Sequence, residues 1–444
     1  MDTLTKLGIL ADAAKYDAAC TSSGVRRGPA PGRVGIASDA GCCHSFTADG
    51  RCVTLLKVLM SNACSFDCAY CVNRRSNSCP RATFRPRELA ELTVDLYRRN
   101  LVEGLFLSSG VLGTPDETTE RMVACLRELR EGLRFNGYVH AKVIPGTSPE
   151  LVDELGRLSD RLSLNVELPS AASVRALCPD KDASRLMRPM AQIAATIREE
   201  DRLLEASARP GAKVSPSSGP GTLARRRRPG RRARRAFAPA GQSTQMIVGA
   251  SPEDDLRVLS LSQALYERFS LKRVFYSAYV PVVDDPALPD ASAPPPLRRE
   301  HRLYQADWLI RRYGMRAEEL VTPEAPWLDL DVDPKLAWAL AHLDRFPVEV
   351  NEAPYEELLR VPGIGVTGAR RIVSARRGGT LGFDDLRRLR VTLKRARHFV
   401  TCAGRRDPAS PLDPELIRRR VVGDAASSPY NRTRRACEGQ LTLF

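Results

Sequence analysis

The chain has 444 residues, 43% hydrophobic and 27% charged, with a formal net charge of +15, which is long enough for two or three domains of ordinary globular balance. It holds no run of eighteen apolar residues, and its first stretch, MDTLTKLGILADAAKYDAAC, carries no apolar core flanked by a cleavage site, so a membrane span and export are excluded and a cytoplasmic protein is expected. The excess of positive charge favours a polyanionic partner through phosphate neutralisation and counterion release.

In chain order, residues 1–52 are rich in Gly, Pro, Ser and Arg, as in SSGVRRGPAPGRVG, and are expected to form an extended, capping segment. VTLLKVLM, Val53 to Met60, is a short β-branched run of the kind that forms a buried strand. A cysteine-rich loop follows. RPRELAELTVDLYRRN then reads as an amphipathic helix, GLFLSSG as a strand, DETTERMVACLRELREGL as a helix and YVHAKVIPG as a strand. SPELVDELGRL, RLSLNVELP and KDASRLMRPMAQIAATIREEDRLLEA continue as helix, strand and helix. Residues 208–240 have no periodicity, and RRRRPGRRARR from Arg225 to Arg235 packs eight arginines together, so this insertion is either a solvated linker or a nucleic-acid-binding arm. STQMIVGA, SPEDDLRVLSLSQALYERF and LKRVFYSAYVPV restore strand, helix and strand. Alternation at these lengths implies parallel strands joined by right-handed crossovers. The fold class is therefore α/β, a partial (β/α)6 barrel over residues 53–285, followed by a C-terminal all-α module. A proline-rich linker and helices occupy 286–353, a small helical module 354–404, and a frayed tail 405–444.

Twelve cysteines occur, and in a reducing cytosol clustered ones point to metal or redox chemistry rather than to disulfides. Scattered ones such as Cys125, Cys178 and Cys437 read as buried or inert thiols. Cys64, Cys68 and Cys71 crowd into LMSNACSFDCAYCVN, on a loop leaving the carboxyl end of the first barrel strand, the face where β/α barrels carry their chemistry. Three thiolates on an iron–sulfur cubane leave one iron open for an exogenous ligand. The competing assignment is a zinc knuckle completed by His44 or Cys79, although structural zinc usually shows two paired halves. A second group, Cys42, Cys43, His44 and Cys52, lacks paired spacing and reads as a structural cap before an auxiliary cluster or zinc site.

With Tyr70 before its last cysteine, CxxxCxxC resembles the motif of the radical S-adenosylmethionine (SAM) superfamily. The resemblance implies an enzyme with a 4Fe-4S cluster on Cys64, Cys68 and Cys71 and SAM on the fourth iron, which cleaves SAM to methionine and a 5'-deoxyadenosyl radical. It also implies SAM contacts at Ser108, Ser109 and Gly110, where the usual GGE is missing its glutamate, at Asn165 and Glu167, and at Gln245 and Gly249. Cys43, Cys79 and Tyr276 are candidates for quenching a product radical. A flavodoxin or ferredoxin is the implied electron donor.

PYEELLRVPGIGVTGARRIVSARR looks like a helix-hairpin-helix motif. Gly363 and Gly365, between Pro362 and Ile364, allow a close backbone approach, and the amides opening the second helix form an anion site for a DNA phosphate. Thr367, Arg370 and Arg371 add contacts that do not depend on sequence. The half after it, with LRVTLKRA lacking those glycines, reads as support; packing or protein contact is the alternative use of the hairpin. The barrel, preceded by CHSFTADGRC, containing PAGQSTQMIVGA and followed by this hairpin, resembles the DNA modification and repair radical SAM proteins found with a uracil-DNA-glycosylase-like partner. DNA is then the implied substrate, RNA or a partner protein the alternative, and a non-enzymatic, metal-stabilised nucleic-acid-binding protein the third possibility.

Overall fold

The computed structural model describes residues 1–14, 42–46, 52–207, 236–290, 292–408, 410 and 413–427. The barrel half starts from helix α1 (Thr3–Ala14) and strands β1 (Cys42–Phe46) and β2 (Cys52–Leu59). It continues as α2 (Pro86–Arg98), β3 (Gly104–Ser108), α3 (Pro115–Arg127, prolonged by a π-turn over Glu128–Gly132), β4 (Tyr138–Lys142) and α4 (Pro149–Leu158). Then come β5 (Arg161–Ser163), α5 (Ala171–Leu177), α6 (Ala183–Ser207), β6 (Gln242–Val248), α7 (Asp255–Phe269) and β7 (Arg273–Ala278).

Strands β1 to β7 form one sheet in sequence order. The pairings from β2 through to β6 are parallel, and β1 pairs antiparallel with β2. Parallel strands are covered on both faces, and β3 accordingly buries all five of its residues. Local sequence sets the helix starts. Thr114 and Glu117 close a reciprocal capping box at α3, Oγ1 accepting from the Glu117 N–H at 3.2 Å and Oε2 from the Thr114 N–H at 3.0 Å, with Pro115 at the first helical position.

The predicted alternation is present, with four differences. Residues 3–14 are helical rather than extended, and bury Leu10, Ala11 and Ala14. Cys42 to Phe46 form an antiparallel edge strand whose side chains lie outside the described residues; local pattern shows a strand but not its pairing. Helix α5 sits in the loop after β5, where no periodic apolar stretch announces it. The insertion shortens at its C-terminal end, because Phe237 and Ala238 are fully buried and the Ala238 N–H donates to Gly156 O at 3.0 Å. The arginine run lies outside the described residues.

Contacts divide the chain into one unit of Met1–Met246, Tyr266–Phe275 and Val282–Ala291, and a second of Ile247–Leu265, Tyr276–Pro281 and Ser292–Phe444. Beyond β7 the second unit adds α8 (Leu297–Tyr313), α9 (Ala317–Leu320), α10 (Pro334–Ala341), β8 (Val348–Glu349), α11 (Tyr355–Arg360), α12 (Val366–Ala375), α13 (Phe383–Arg388), α14 (Leu393–Ala396), β9 (Val400–Thr401) and α15 (Pro414–Ser427). Leu309, Leu336 and Trp338 share one core with Leu358, Ile364, Ile372 and Phe399, and with Ile417 and Val421 of α15. The boundaries expected at 353/354 and 404/405 are thus not packing boundaries. Nor is this part wholly helical, since β8 and β9 pair in parallel. Among the described residues no helix is long and apolar enough to cross a membrane.

Candidate functional site

The loop after β2 is built on buried anchors. Asn62 is 2% exposed; its Nδ2 donates to Pro80 O at 2.8 Å and its Oδ1 accepts from the Ala82 N–H at 2.8 Å. Arg81 spreads its guanidinium over the carbonyls of Asn62, Asn73, Arg74 and Asn77, and so ties both ends of the cysteine loop together. Neither residue has a local sequence pattern, because their partners are backbone atoms that only the closed loop assembles.

Cys64, Cys68 and Cys71 are free thiols, the second buried and the others half-buried. The Cys64 sulfur accepts N–H groups from Phe66 at 3.4 Å and Val111 at 3.3 Å. Val111 belongs to the loop after β3, which packs directly on this one: a Cβ on Gly110 would lie 3.1 Å from Cys64 Cβ and 3.2 Å from Ser61 O. The Gly110 N–H donates to Ser61 O at 2.7 Å and Ser109 Oγ donates to Gly110 O at 2.6 Å. Ser108 is buried, its carbonyl accepting the Met60 N–H. The predicted Ser108, Ser109 and Gly110 thus meet the cysteine loop.

A second contact comes from the turn after α5. The Ala69 N–H donates to Leu177 O at 2.8 Å and the Asp67 N–H to Asp180 Oδ2 at 2.7 Å. Cys178 is buried, as one of the two expectations had it, and its Sγ donates to Tyr70 Oη at 3.2 Å. A hydrogen bond from Cys178, aided by the Lys181 ammonium, brings the Cys68 thiol down to about 7 against the cost of burial. Burial pushes Cys71 up to about 12. Burial and the nearby Glu167 charge hold the Tyr70 phenol well above its ordinary range. Glu167 and Lys181 form an almost buried ion pair at 2.7 Å, and Asn165 Nδ2 approaches Glu167 Oε2 at 3.5 Å. Burial works to neutralise Lys181, but Glu167, Cys68 and Cys178 together outweigh it and keep the ammonium charged. Glu167 itself adopts φ +65° and its N–H donates to Gln245 O at 3.3 Å. Asn165, Glu167 and Gln245 therefore lie close to one another, with the Glu167 charge acting on Cys68. Gly249, in the second unit, has a local reason instead: φ +88°, with Pro296 Cγ 2.7 Å from where a Cβ would stand. Tyr276 is also local, its hydroxyl donating to Ser262 Oγ at 2.9 Å. Cys42, Cys43, His44 and Cys52 have side chains outside the described residues.

Residues 58–198, which contain all three cysteines, match the family model described as the Radical SAM superfamily. This segment is thus similar to the radical SAM superfamily. Solved structures similar to it include HydG, a maturase of the FeFe-hydrogenase, at 15% identity over 57% of this chain and 48% of that chain, with a TM-score of 0.38. The HydG of Carboxydothermus hydrogenoformans matches at 14% identity over 57% and 50%, TM-score 0.36. Coproporphyrinogen III oxidase, HemN, of Escherichia coli, a radical SAM enzyme, matches at 15% identity over 56% and 50%, TM-score 0.31. The chain spans about half the length of these structures. No curated protein matches it.

The superfamily that this segment matches consists of enzymes that use a 4Fe-4S cluster and SAM. The residues of this segment fit that group. Cys64, Cys68 and Cys71 are free and sit on one anchored loop, and the donor set is all thiol, suited to iron–sulfur chemistry. Among the described residues no three His, Cys, Asp or Glu side chains converge on a single ion. Cys79 is half-buried on the same loop and joins no such group.

In the second unit, the turn from Pro362 to Gly365 joins α11 to α12. Gly363 has φ +87°, and a Cβ there would fall 2.6 Å from Thr392 O and 2.9 Å from Ala396 N; its carbonyl accepts the Thr392 N–H at 3.1 Å. Ile364 is buried, and its carbonyl accepts from Lys335 Nζ at 2.6 Å. Gly365 caps α12 with extended backbone. Pro362 is buried, while Thr367, Arg370 and Arg371 are exposed on α12.

Proposed function

We propose that this radical SAM enzyme acts on DNA, modifying or repairing a base or nucleotide that the α11–α12 hairpin helps to present. A 4Fe-4S cluster held by Cys64, Cys68 and Cys71, with SAM, would supply radical chemistry beginning with hydrogen abstraction from the substrate. Asn62 and Arg81 hold the cysteine loop, Cys64, Cys68 and Cys71 would ligate the cluster, and the Ser108–Gly110 and Asn165–Glu167 segments would meet SAM.

The observation that carries the DNA assignment is the hairpin turn, a helix–glycine-turn–helix with Thr367, Arg370 and Arg371 exposed on its second helix, in the same chain as the cysteine loop. Such a turn offers backbone N–H groups at a helix start, and the arginines add charge, so a phosphate is held without reading a base. The chain's +15 charge has the sign this requires. A uracil-DNA-glycosylase-like protein is the proposed partner, and a flavodoxin or ferredoxin the proposed electron donor.

The test is anaerobic. Wild type and Cys68→Ala are reconstituted with iron and sulfide and reduced with dithionite, and 5'-deoxyadenosine is measured with no nucleic acid, duplex DNA or RNA. Production that rises with DNA and vanishes in the variant supports the proposal. A rise with RNA alone moves the substrate class, and no production under any condition overturns the radical chemistry.

A further inference from the structure

The second unit buries a lysine against the glycine turn. Lys335, the second residue of α10, is 7% exposed and makes no ion pair among the described residues. Its Nζ donates to the Ile364 carbonyl, in the middle of the turn between α11 and α12, at 2.6 Å. It also lies 4.8 Å from the centre of the Tyr313 ring, at the end of α8. Lysine is almost never buried unless paired, and a plain hydrocarbon side chain would fill such a place without the cost of desolvating an amine. What the nitrogen does follows from the peptide it touches.

Among the described residues the cis peptide bond is at Phe346–Pro347, so the bond from Ile364 to Gly365 is trans and its C=O and N–H point in opposite directions. With the carbonyl turned inward to Lys335, the Gly365 N–H is turned away from the buried amine. Among the described residues it has no acceptor. Gly365 is the N-cap of α12, so this amide opens the second helix of the hairpin. A donor placed on the carbonyl of a peptide polarises it and strengthens its N–H as a donor, and the start of the helix adds a field of the same sign. Tyr313 closes one side of the turn, its Oη standing 3.3 Å from where a Cβ on Gly365 would be.

We propose that Lys335 is a positioning residue of the hairpin's phosphate site and that its protonation regulates how tightly DNA is held there. The inference rests on reading the α11–α12 hairpin as a phosphate-binding turn. Lys335 does not touch the phosphate. Its ammonium holds the 364–365 peptide with the N–H outward and sets a positive charge one peptide behind the anion. Burial brings Lys335 from 10.5 down to about 7, with Asp333 opposing, so the group titrates in the neutral range. Asp333 faces it from its own element, the Tyr313 ring from α8 and the Ile364 carbonyl from the hairpin; Asp333 is in turn held by Arg395 of α14 at 2.6 Å. A bound phosphate favours the charged form, so DNA binding takes up a proton. By linkage, affinity is complete below about pH 7 and falls as pH rises above it.

The experiment measures binding of duplex DNA to the full chain at fixed salt from about pH 6 to about pH 8.5, and reads proton uptake by calorimetry in buffers of different ionisation heat. Wild type is compared with Lys335→Met, which keeps the length and the apolar stem, and with Arg370→Gln. The expected fall in affinity over this range is about tenfold greater in wild type than in Lys335→Met, the effect of one proton whose pKa moves by about one unit, with proton uptake in wild type that the variant loses. Profiles of the same shape in the two proteins overturn the proposal, even where Lys335→Met is weaker throughout, because they leave the lysine a structural role alone. Wild-type binding without proton uptake overturns it too, and needs no variant, so it decides the matter if Lys335→Met does not fold. Arg370→Gln separates this inference from the reading beneath it. If its salt dependence equals that of wild type, or if DNA binds at no pH, the hairpin holds no phosphate and both fail. If its salt dependence drops while wild type and Lys335→Met share one pH profile, the hairpin reading stands and the role of Lys335 fails.

Discussion

At the scale of single residues, the structure separates side chains chosen for chemistry from those chosen for geometry. Gly363 is of the second kind. Its φ of +87° and the Thr392 carbonyl 2.6 Å from a Cβ position leave room for hydrogen alone. Gly363→Ala should cost about 2–4 kcal/mol, the sum of a left-handed backbone and an overpacked contact, read as a fall in denaturation midpoint; Gly379→Ala, whose added Cβ meets nothing within 4 Å, is a comparison with only the backbone component. Glu349 shows how a surface carboxylate becomes structural. Burial alone pushes its carboxyl up, but N–H groups of Gly404 and Asn351 and the Asn351 amide outweigh it and bring it from 4.5 down to about 2. The folded state thus binds its proton later than the unfolded state does. Its contribution is complete above pH about 4.5 and is lost as pH falls towards 2. Glu349→Gln should therefore be less stable than wild type at pH 7, with the gap closing in acid; a gap constant over that window refutes the assignment. Among site residues, Cys64, Cys68 and Cys71 were legible because their spacing is local. Arg81, Cys178 and Lys181 were not, because their partners are loop carbonyls, a phenol and a carboxylate brought up by folding.

Elements were legible where periodicity and caps coincide, as at Thr114-Pro115-Asp116-Glu117 opening α3. They were missed where a segment is short or has no apolar face of its own, as at α5 and the paired β8 and β9. Buried ion pairs do similar long-range work between elements. In the second unit Asp255, 1% exposed at the start of α7, accepts from Arg299 Nε of α8 at 2.6 Å and from the Leu328 N–H at 2.9 Å. Arg299 in turn lies over the Trp327 ring at 4.6 Å. Removing one partner strands the other, so Asp255→Ala should destabilise the chain by about 3–5 kcal/mol, far more than Arg87→Ala, whose ion pair with Glu91 is exposed to solvent. Equal effects of the two substitutions in urea unfolding would remove the structural role from Asp255.

For the whole molecule, charge and topology act separately. With +15 net charge, DNA affinity should fall steeply with salt, and Arg370→Gln and Arg371→Gln should each reduce the slope of log K against log salt by about 0.9 while weakening all sequences alike. Unchanged slopes would detach the hairpin from phosphate contact. The six-unit parallel alternation, the cysteine loop at a strand's carboxyl end and the glycine turn were all determined by sequence alone, because each depends on residues within a few positions of one another: side-chain period, thiol spacing, and backbone freedom at glycine. Tertiary structure alone decided the rest. It joined residues from α8 to α15 into one core across expected boundaries, placed Cys178 and the Glu167–Lys181 pair beside Cys68, and seated the Lys335 amine against the Ile364 carbonyl. Those outcomes depend on packing and loop closure between residues far apart in the chain, and no local pattern encodes which position comes to face which.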